Sequence, residues 1–179
     1  MLIRWASYDD LSAWQALEHE VAPIFIIPSE TDENRKKEMI EDNEILVAVD
    51  YMGGDRLGFI GLSRTNNQVT WLAVFEKHQR RGVGERLLRT ALRHLDINKD
   101  IFVNTFQSGY APGTAAQALY RKYGFSIEEP HTFQSSIPTC RLTRPASNIP
   151  MMLNGAVQTE NAFLSDKVID SSKVLGGHQ

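Results

Sequence analysis

The chain changes from strand to helix within one short stretch, VFEKHQRRGVGERLL, residues 74–88. An apolar run ends at Phe75, and a helical stripe of leucines begins directly after Gly82 and Gly84. At such a junction several unpaired backbone N–H groups and the positive end of the helix dipole point at one place. A phosphate or pyrophosphate suits that place, and glycine lets it approach the amides because no Cβ intervenes. The stretch therefore predicts an anion-binding loop between a strand and a helix.

Two familiar phosphate motifs do not fit this loop. A dinucleotide-binding loop would have a third glycine where Leu87 stands, and a P-loop would have Gly-Lys followed by Ser or Thr. A glycine-rich turn that only lets the helix pack on the sheet is the alternative that the loop by itself leaves open.

The segments before the loop predict three successive antiparallel strands. The runs Ile45–Val49, Leu57–Ser63 and Val69–Phe75 are rich in β-branched or aromatic residues, and a hairpin turn over Asp50–Arg56 joins the first two. A short strand at Ile3–Trp5, a helix capped by Asp9 or Asp10 and a polar helix over Glu33–Glu41 are expected further upstream.

After the loop, the hydrophobic pattern predicts a helix, a strand over Ile101–Phe106, and a second helix that ends at Gly124 as a left-handed cap. Thr114 and Gln117 have the spacing of a capping box at the start of that helix. Weaker strands are expected over 125–128 and 138–142. This order predicts one mixed α/β domain over residues 1–144, followed by a polar tail, 145–179, that is flexible or docked on a partner.

Composition excludes several classes of protein. The chain has 179 residues, which fits one domain, and no apolar run long enough to span a membrane. Acidic residues near the N-terminus argue against a secretory signal, so we expect a cytoplasmic protein. Cys140 is the single cysteine and the five histidines lack ligand spacing, so no metal site is expected. A net charge of −3 argues against a nucleic-acid binder.

The small net charge conceals an asymmetry. Nine acidic and three basic residues between Glu18 and Glu44 sum to −6, whereas six basic residues lie between Lys77 and Arg93. This distribution suits one cationic and one anionic ligand. Two solvated helix faces are the alternative.

Two motifs resemble the GCN5-related N-acetyltransferase (GNAT) superfamily. Gln79-Arg80-Arg81-Gly82-Val83-Gly84 matches the acetyl-CoA motif Q/R-x-x-G-x-G/A, which follows the fourth strand of that family. Downstream, ALYRKYGF, residues 118–125, is similar to the family's A-x-x-L-Y-x-K-x-G-F region. The resemblance covers residues 2–144 and implies a mixed, mostly antiparallel central sheet flanked by helices, with residues 145–179 as a C-terminal extension.

The resemblance also implies a set of site residues. The backbone of the fourth strand would pair with the pantetheine arm of acetyl-CoA, and the amides of the glycine loop would hold the pyrophosphate. Tyr120 would protonate the leaving thiolate, and its alternative role is an aromatic plug against the sheet. The implied cofactor-binding residues are Leu72, Ala73, Val74, Gln79, Arg80, Arg81, Gly82, Val83, Gly84 and Glu85.

Some relatives carry a glutamate base on the strand that corresponds to Ile101–Phe106, and this strand has no carboxylate. Glu44 and His131 are possible substitutes for that base. The sequence is therefore interpreted as an N-acetyltransferase that moves an acetyl group from acetyl-CoA to a primary amine, without a metal. The acidic stretch favours a cationic acceptor. A non-catalytic acyl-CoA-binding or sensing domain of the same fold is the alternative, and a homodimer is left open.

Overall fold

The computed structural model describes residues 1–23, 33–52, 54–131 and 137–146. Every described element lies within Met1–Asn148. The predicted tail 145–179 lies outside the described residues beyond Ala146, and the apolar piece Ile24–Ile27 lies outside them as well. The predicted domain boundary at 144 stays a prediction.

The described strands form a seven-stranded sheet in the order β1-β2-β3-β4-β5-β7-β6. All neighbours are antiparallel except β4 and β5, which run parallel. The expected mixed, mostly antiparallel sheet is confirmed. The strands are β1 (Leu2–Trp5), β2 (Ile45–Val49), β3 (Arg56–Ser63), β4 (Gln68–Val74), β5 (Ile101–Phe106), β6 (Ile127–Pro130) and β7 (Thr139–Arg144).

Four α-helices are present in the described residues: α1 (Leu11–Val21), α2 (Glu33–Glu41), α3 (Val83–Ala91) and α4 (Thr114–Lys122). The bounds predicted for α2 are confirmed. The left-handed residue predicted at Gly124 is confirmed by its φ of 87°.

The capping box predicted at the start of α4 is wrong. Thr114 is already helical and Gly113 takes the cap position, without a side-chain cap. The Gln117 side chain instead turns into the core and donates to the carbonyl of Phe106. The side chain of Gln117 therefore binds the carbonyl of Phe106 at the end of β5 and is not available for a capping box.

Of the two predicted caps, Asp9 and Asp10, it is Asp10 that takes the N-cap position of α1, but its side chain has a different role from the expected one. Asp10 is fully buried and makes no side-chain cap to α1. Its carboxylate accepts hydrogen bonds from the Ser7 amide at 2.8 Å, from Arg4 at 2.6 Å and from Arg56 at 2.7 Å. These bonds hold the pKa of Asp10 well below its usual range, against the burial that would raise it. The carboxylate therefore ties β1 and β3 to the start of α1.

The helices cover the sheet on two faces, each with its own core. On one face, α1 and α2 place Trp14, Leu17 and Met39 against Phe59 of β3 and Ala73 of β4. On the other face, α3 packs its leucines against the sheet, together with side chains from α4. We call these two sides of the sheet the α1 face and the α3 face.

A β-bulge interrupts β4 in its middle. Gly61 of β3 is opposite Trp71 and Leu62 is opposite Val69, so Thr70 has no partner across the strand pair. A Cβ on Gly61 would lie 2.3 Å from Oγ1 of Thr70 and 2.7 Å from Cδ1 of Trp71, so only glycine allows this close crossing. Because one residue is added, the alternation reverses: Trp71 packs on the α1 face and Leu72 on the α3 face.

Candidate active site

The parallel strands β4 and β5 separate shortly after they begin. They pair only at Gln68 with Phe102 and at Val69 with Val103, directly before the bulge at Thr70. A bulge bends its strand and increases the local twist. Beyond it, β4 keeps its bonds to β3, but within the described residues it makes no further strand pairs with β5. The two strands therefore part, and we call the gap between them the slit.

Backbone groups of β4 line this slit. The N–H of Phe75 donates to Leu57 of β3, so by strand alternation the backbone groups of Val74 and Leu72 face the other way. The carbonyl of Val74 accepts a hydrogen bond from the Gln79 side chain at 3.1 Å instead of from a strand. Of the three β4 residues implied by the resemblance, Leu72 and Val74 therefore face the slit, and the backbone of Ala73 faces β3.

The glycine loop adjoins the same end of β4. A 3₁₀ turn, Glu76–His78, follows the strand, and α3 begins after Gly82, which has a φ of 76° and provides no side-chain cap. A left-handed conformation at this point favours glycine, since a Cβ would crowd the following carbonyl. The N–H groups of the first turn of α3 therefore stay available to an anion.

The loop residues differ in exposure. Gln79, Arg80, Arg81 and Gly82 are exposed, whereas Val83 is buried and anchors the start of α3 in the core. Arg80 also has a positive φ of 59°. The structure thus presents one face of the loop to solvent with basic side chains at its rim, which suits a phosphate ligand.

Glu85 joins α3 to α4. Its Oε1 accepts hydrogen bonds from Nζ of Lys122 at 2.7 Å and from the hydroxyl of Tyr123 at 3.0 Å. The Lys122 contact, followed by that of Tyr123, lowers the pKa of Glu85. These contacts fix α4, which carries Tyr120, relative to the glycine loop.

Tyr120 lies in the core on the α3 face, the face against which Leu72 and Val74 pack. It is 3% exposed, and its ring meets Phe125 edge-on at a centroid distance of 5.6 Å. Burial raises the pKa of Tyr120. The described contacts of Tyr120 are made through its ring, so no described acceptor takes the proton of its hydroxyl.

The acidic residues that motivated a cationic acceptor are largely paired. Glu18 binds Lys36 at 2.6 Å, and Arg35 contacts both Glu38 and Glu44 at 3.2 Å. Glu20 caps the amide of Glu76, and Glu41 accepts from Tyr8. Fewer free carboxylates therefore remain to attract a cation than the charge count implies. Glu44, a candidate base, is likewise held in an ion pair.

Sequence reasoning missed the side chains at the mouth of the slit on the α1 face. Trp71 stacks on Trp14 with ring centroids 5.8 Å apart. On the neighbouring strands, Nε of Arg141 donates to Oδ1 of Asn104 at 3.2 Å, and the guanidinium lies 5.5 Å from the centroid of Phe102. Only the strand register brings these residues together, so no local sequence signal reveals them.

Residues 41–127, which include the slit, the glycine loop and Tyr120, match the family model of the acetyltransferase (GNAT) domain. This part of the chain belongs to the GNAT family. The expected resemblance is thereby confirmed. Acetyl transfer is the chemistry of this family.

Solved structures support the same fold. A ribosomal-protein-alanine N-acetyltransferase from Brucella melitensis is 18% identical, with a TM-score of 0.63 over 81% of this chain and 99% of that one. The putative acetyltransferase yncA from Salmonella typhimurium, solved with its cofactor acetyl-CoA, is 15% identical, with a TM-score of 0.63 over 84% and 96%. The paiA N-acetyltransferase from Thermoplasma acidophilum, in complex with coenzyme A, is 15% identical, with a TM-score of 0.58 over 78% and 96%. No curated protein matches the sequence significantly.

Two features are absent from the part of the chain that the structure describes, whose residues lie in 1–23, 33–52, 54–131 and 137–146. None of their helices is long and apolar enough to cross a membrane. None of their His, Cys, Asp and Glu side chains gather in a group of three or more that could hold a metal ion. The cytoplasmic location, the absence of nucleic acid and the homodimer stay predictions.

Proposed function

We propose that the GNAT domain transfers an acetyl group from acetyl-CoA to a primary amine by direct attack. The slit between β4 and β5, open beside the uncapped start of α3, carries the proposal. Its backbone edge at Leu72 and Val74 suits the amide groups of a pantetheine arm, which would pair as an added strand. The N–H groups around Gly82 and Gly84 suit the pyrophosphate. Two of the structural relatives were solved with acetyl-CoA or coenzyme A.

The reaction itself needs few groups from the protein. A neutral amine attacks the thioester carbonyl, and a backbone N–H of β4 beside the bulge stabilises the oxyanion. The C–S bond then breaks, the thiolate takes the proton of the Tyr120 hydroxyl, and the proton that the attacking nitrogen loses returns through water to the Tyr120 phenolate. Because a free alkylammonium has a pKa of about 10.4, its extra proton must first pass to water or to a base.

Gly84 provides the test of the donor site. A Cβ at this position would lie 3.6 Å from Cγ2 of Val74, 3.7 Å from Cδ2 of Leu119 and 3.9 Å from Cδ2 of Leu72. An alanine therefore fits, whereas the two extra methyl groups of valine would press against these side chains, two of which belong to the strand that borders the slit.

We expect Gly84→Val to lower the affinity for acetyl-CoA at least tenfold, about 1.4 kcal/mol, in calorimetric titrations. Gly84→Ala is the matched control and keeps the affinity of the wild type. If folded Gly84→Val binds acetyl-CoA as tightly as the wild type, the donor does not lie in this slit.

Amine panels test the transfer. Release of the CoA thiol, followed with a thiol-detecting reagent, identifies an acetyltransferase when the rate depends on the added amine. Tight acetyl-CoA binding without release for any amine would instead support the alternative of a non-catalytic acyl-CoA-binding or sensing domain.

A further inference from the structure

The sheet exposes a polar row on the α1 face beyond the slit. Ile101 and Val103 of β5 lie in the core of the α3 face, so Asn104 points to the α1 face by alternation. In the register, Asn104 is opposite Arg141 of β7, and Arg141 is opposite Glu129 of β6. Cross-strand partners share a face, so these three side chains form a row that leads away from the slit.

Arg141 does not extend along this row toward Glu129. Its Nε donates to Oδ1 of Asn104, and its guanidinium lies over the ring of Phe102. Both contacts are on β5, the strand that borders the slit. The side chain therefore folds back from β7 toward the slit and is held there from two sides.

The terminal nitrogen atoms of Arg141 are free to bind a ligand. Within the described ranges, no carboxylate pairs with this arginine, no acceptor takes its terminal N–H groups, and the residue is partly exposed. A guanidinium carries five N–H donors in a planar fork that matches the two oxygens of a carboxylate. Only Nε is used by Asn104, so the outer edge of that fork remains.

The position of the fork relates it to the transfer reaction. Asn104 is the first β5 residue beyond the last pair with β4, and Trp71, the β4 residue after the bulge at Thr70, lies on the same face. On the α3 face the core around Tyr120 closes the slit. An acceptor amine that reaches a thioester in the slit from the α1 face therefore passes between Trp71 and the Arg141 guanidinium.

We propose that Arg141 binds a carboxylate of the acceptor, so that the substrate is an amine carrying a carboxylate a few bonds from its nitrogen. The inference rests on the proposed function, because it places the thioester in the slit. Neighbouring strands lie about 4.8 Å apart, so a carboxylate at Arg141 leaves the amine of a short amino acid near the edge of the slit. Asn104 is then a positioning residue that holds the fork toward the slit.

Pairs of acceptors that differ only in the carboxylate test the proposal. Free amino acids are compared with their carboxamides, and dipeptides whose N-terminal residue is Asp or Glu are compared with their Asn or Gln counterparts. In one of the two series, we expect the wild type to have a kcat/KM at least tenfold higher for the carboxylate acceptor than for its carboxamide. The reason is that hydrogen bonds to charged groups are stronger than those to neutral groups. The series that shows the preference tells whether the carboxylate belongs to a free amino acid or to a peptide.

Variants assign the preference to Arg141. Arg141→Gln should remove it by lowering kcat/KM for the carboxylate substrate while the carboxamide is unaffected. Asn104→Ala should weaken it mainly through KM, and Arg141→Lys should restore it in part. Arg93→Gln, which removes the same charge from an exposed position on another element, is the matched control and should leave the preference intact.

The outcomes separate this inference from the proposed function. If the wild type releases CoA with carboxamides as fast as with acids in both series, Arg141 does not select the acceptor, although acetyl transfer stands. If Arg141→Gln keeps the preference, another group binds the carboxylate. If no amine of either kind releases CoA, both proposals fail. The wild-type comparison needs no variant, so it decides the question even where a substitution prevents folding.

Discussion

Replacing Tyr120 with phenylalanine tests whether this residue donates a proton in the reaction or only packs in the core. The hydroxyl has no hydrogen bond to any described residue, while the ring is enclosed and packs against Phe125. Phenylalanine keeps that ring. No hydrogen bond within the described residues is lost, so we expect the free energy of unfolding to stay within about 0.5 kcal/mol of the wild type or to rise by up to about 1 kcal/mol.

The rate should respond in the opposite way. A general acid usually contributes about 10²–10⁴-fold, and a thiolate needs less help because it already leaves well. We expect Tyr120→Phe to lower kcat about 10- to 100-fold with little change in the KM for acetyl-CoA. The assay is steady-state CoA release at a saturating amine concentration, combined with urea unfolding of the same preparations.

The pH dependence of stability gives an independent check. Burial raises the pKa of Tyr120, so the folded state holds this proton more tightly than the unfolded state does. Its contribution to stability is complete below the unfolded pKa of about 10 and is lost as the pH rises above it. The wild type should therefore lose up to about 1.36 kcal/mol per pH unit there relative to Tyr120→Phe.

Two results would refute this reasoning. An unchanged kcat under conditions where chemistry limits turnover would show that water supplies the proton. A fall of more than about 1 kcal/mol in the free energy of unfolding would show that the hydroxyl has a structural partner. In either case Tyr120 would be a packing residue.

Two stability predictions concern neighbouring parts of the fold. Gly82→Ala should lower the free energy of unfolding by about 1–2 kcal/mol in urea titrations, because φ is 76° at Gly82. Gly84→Ala should raise it by up to about 1 kcal/mol, because alanine favours the helix more than glycine does. Equal effects of the two substitutions would contradict the backbone conformation assigned to these glycines. Asp10→Asn should cost about 2–3 kcal/mol by weakening the bonds to Arg4 and Arg56. Because the pKa of Asp10 is lowered, the wild type should lose this advantage as the pH falls below about 4, and a constant difference down to pH 2 would contradict the assignment.

Local sequence signals predicted most of the sheet and the helices. The run Ile45–Val49 and the polar helix Glu33–Glu41 have the bounds that were expected, since β-branched density and helical polarity are properties of the segment itself. The glycine loop could be predicted for the same reason: its strand, turn and helix are continuous in the chain.

The bulge and the acceptor side of the slit could not be predicted in this way. The segment QVTWLAV contains no glycine or proline to mark Thr70, and the residue that permits the bulge, Gly61, belongs to the neighbouring strand. The contact between Arg141 and Asn104 depends on the pairing of strands 37 residues apart. The role expected of Gln117 failed because a tertiary acceptor, the Phe106 carbonyl, replaced a local one.

The bulge at Thr70 also bears on how this domain would respond to selection for heat resistance. Deleting one residue there would restore plain alternation and let β4 continue its pairing with β5, which adds main-chain hydrogen bonds at about 1 kcal/mol each. The same deletion would leave Leu72 and Val74 on the α3 face, but their backbone groups would pair with β5 and leave no gap for a ligand arm. A library screened only for survival at high temperature would therefore favour proteins whose sheet has closed, and a screen that also requires acetyl-CoA binding would be needed to keep the opening.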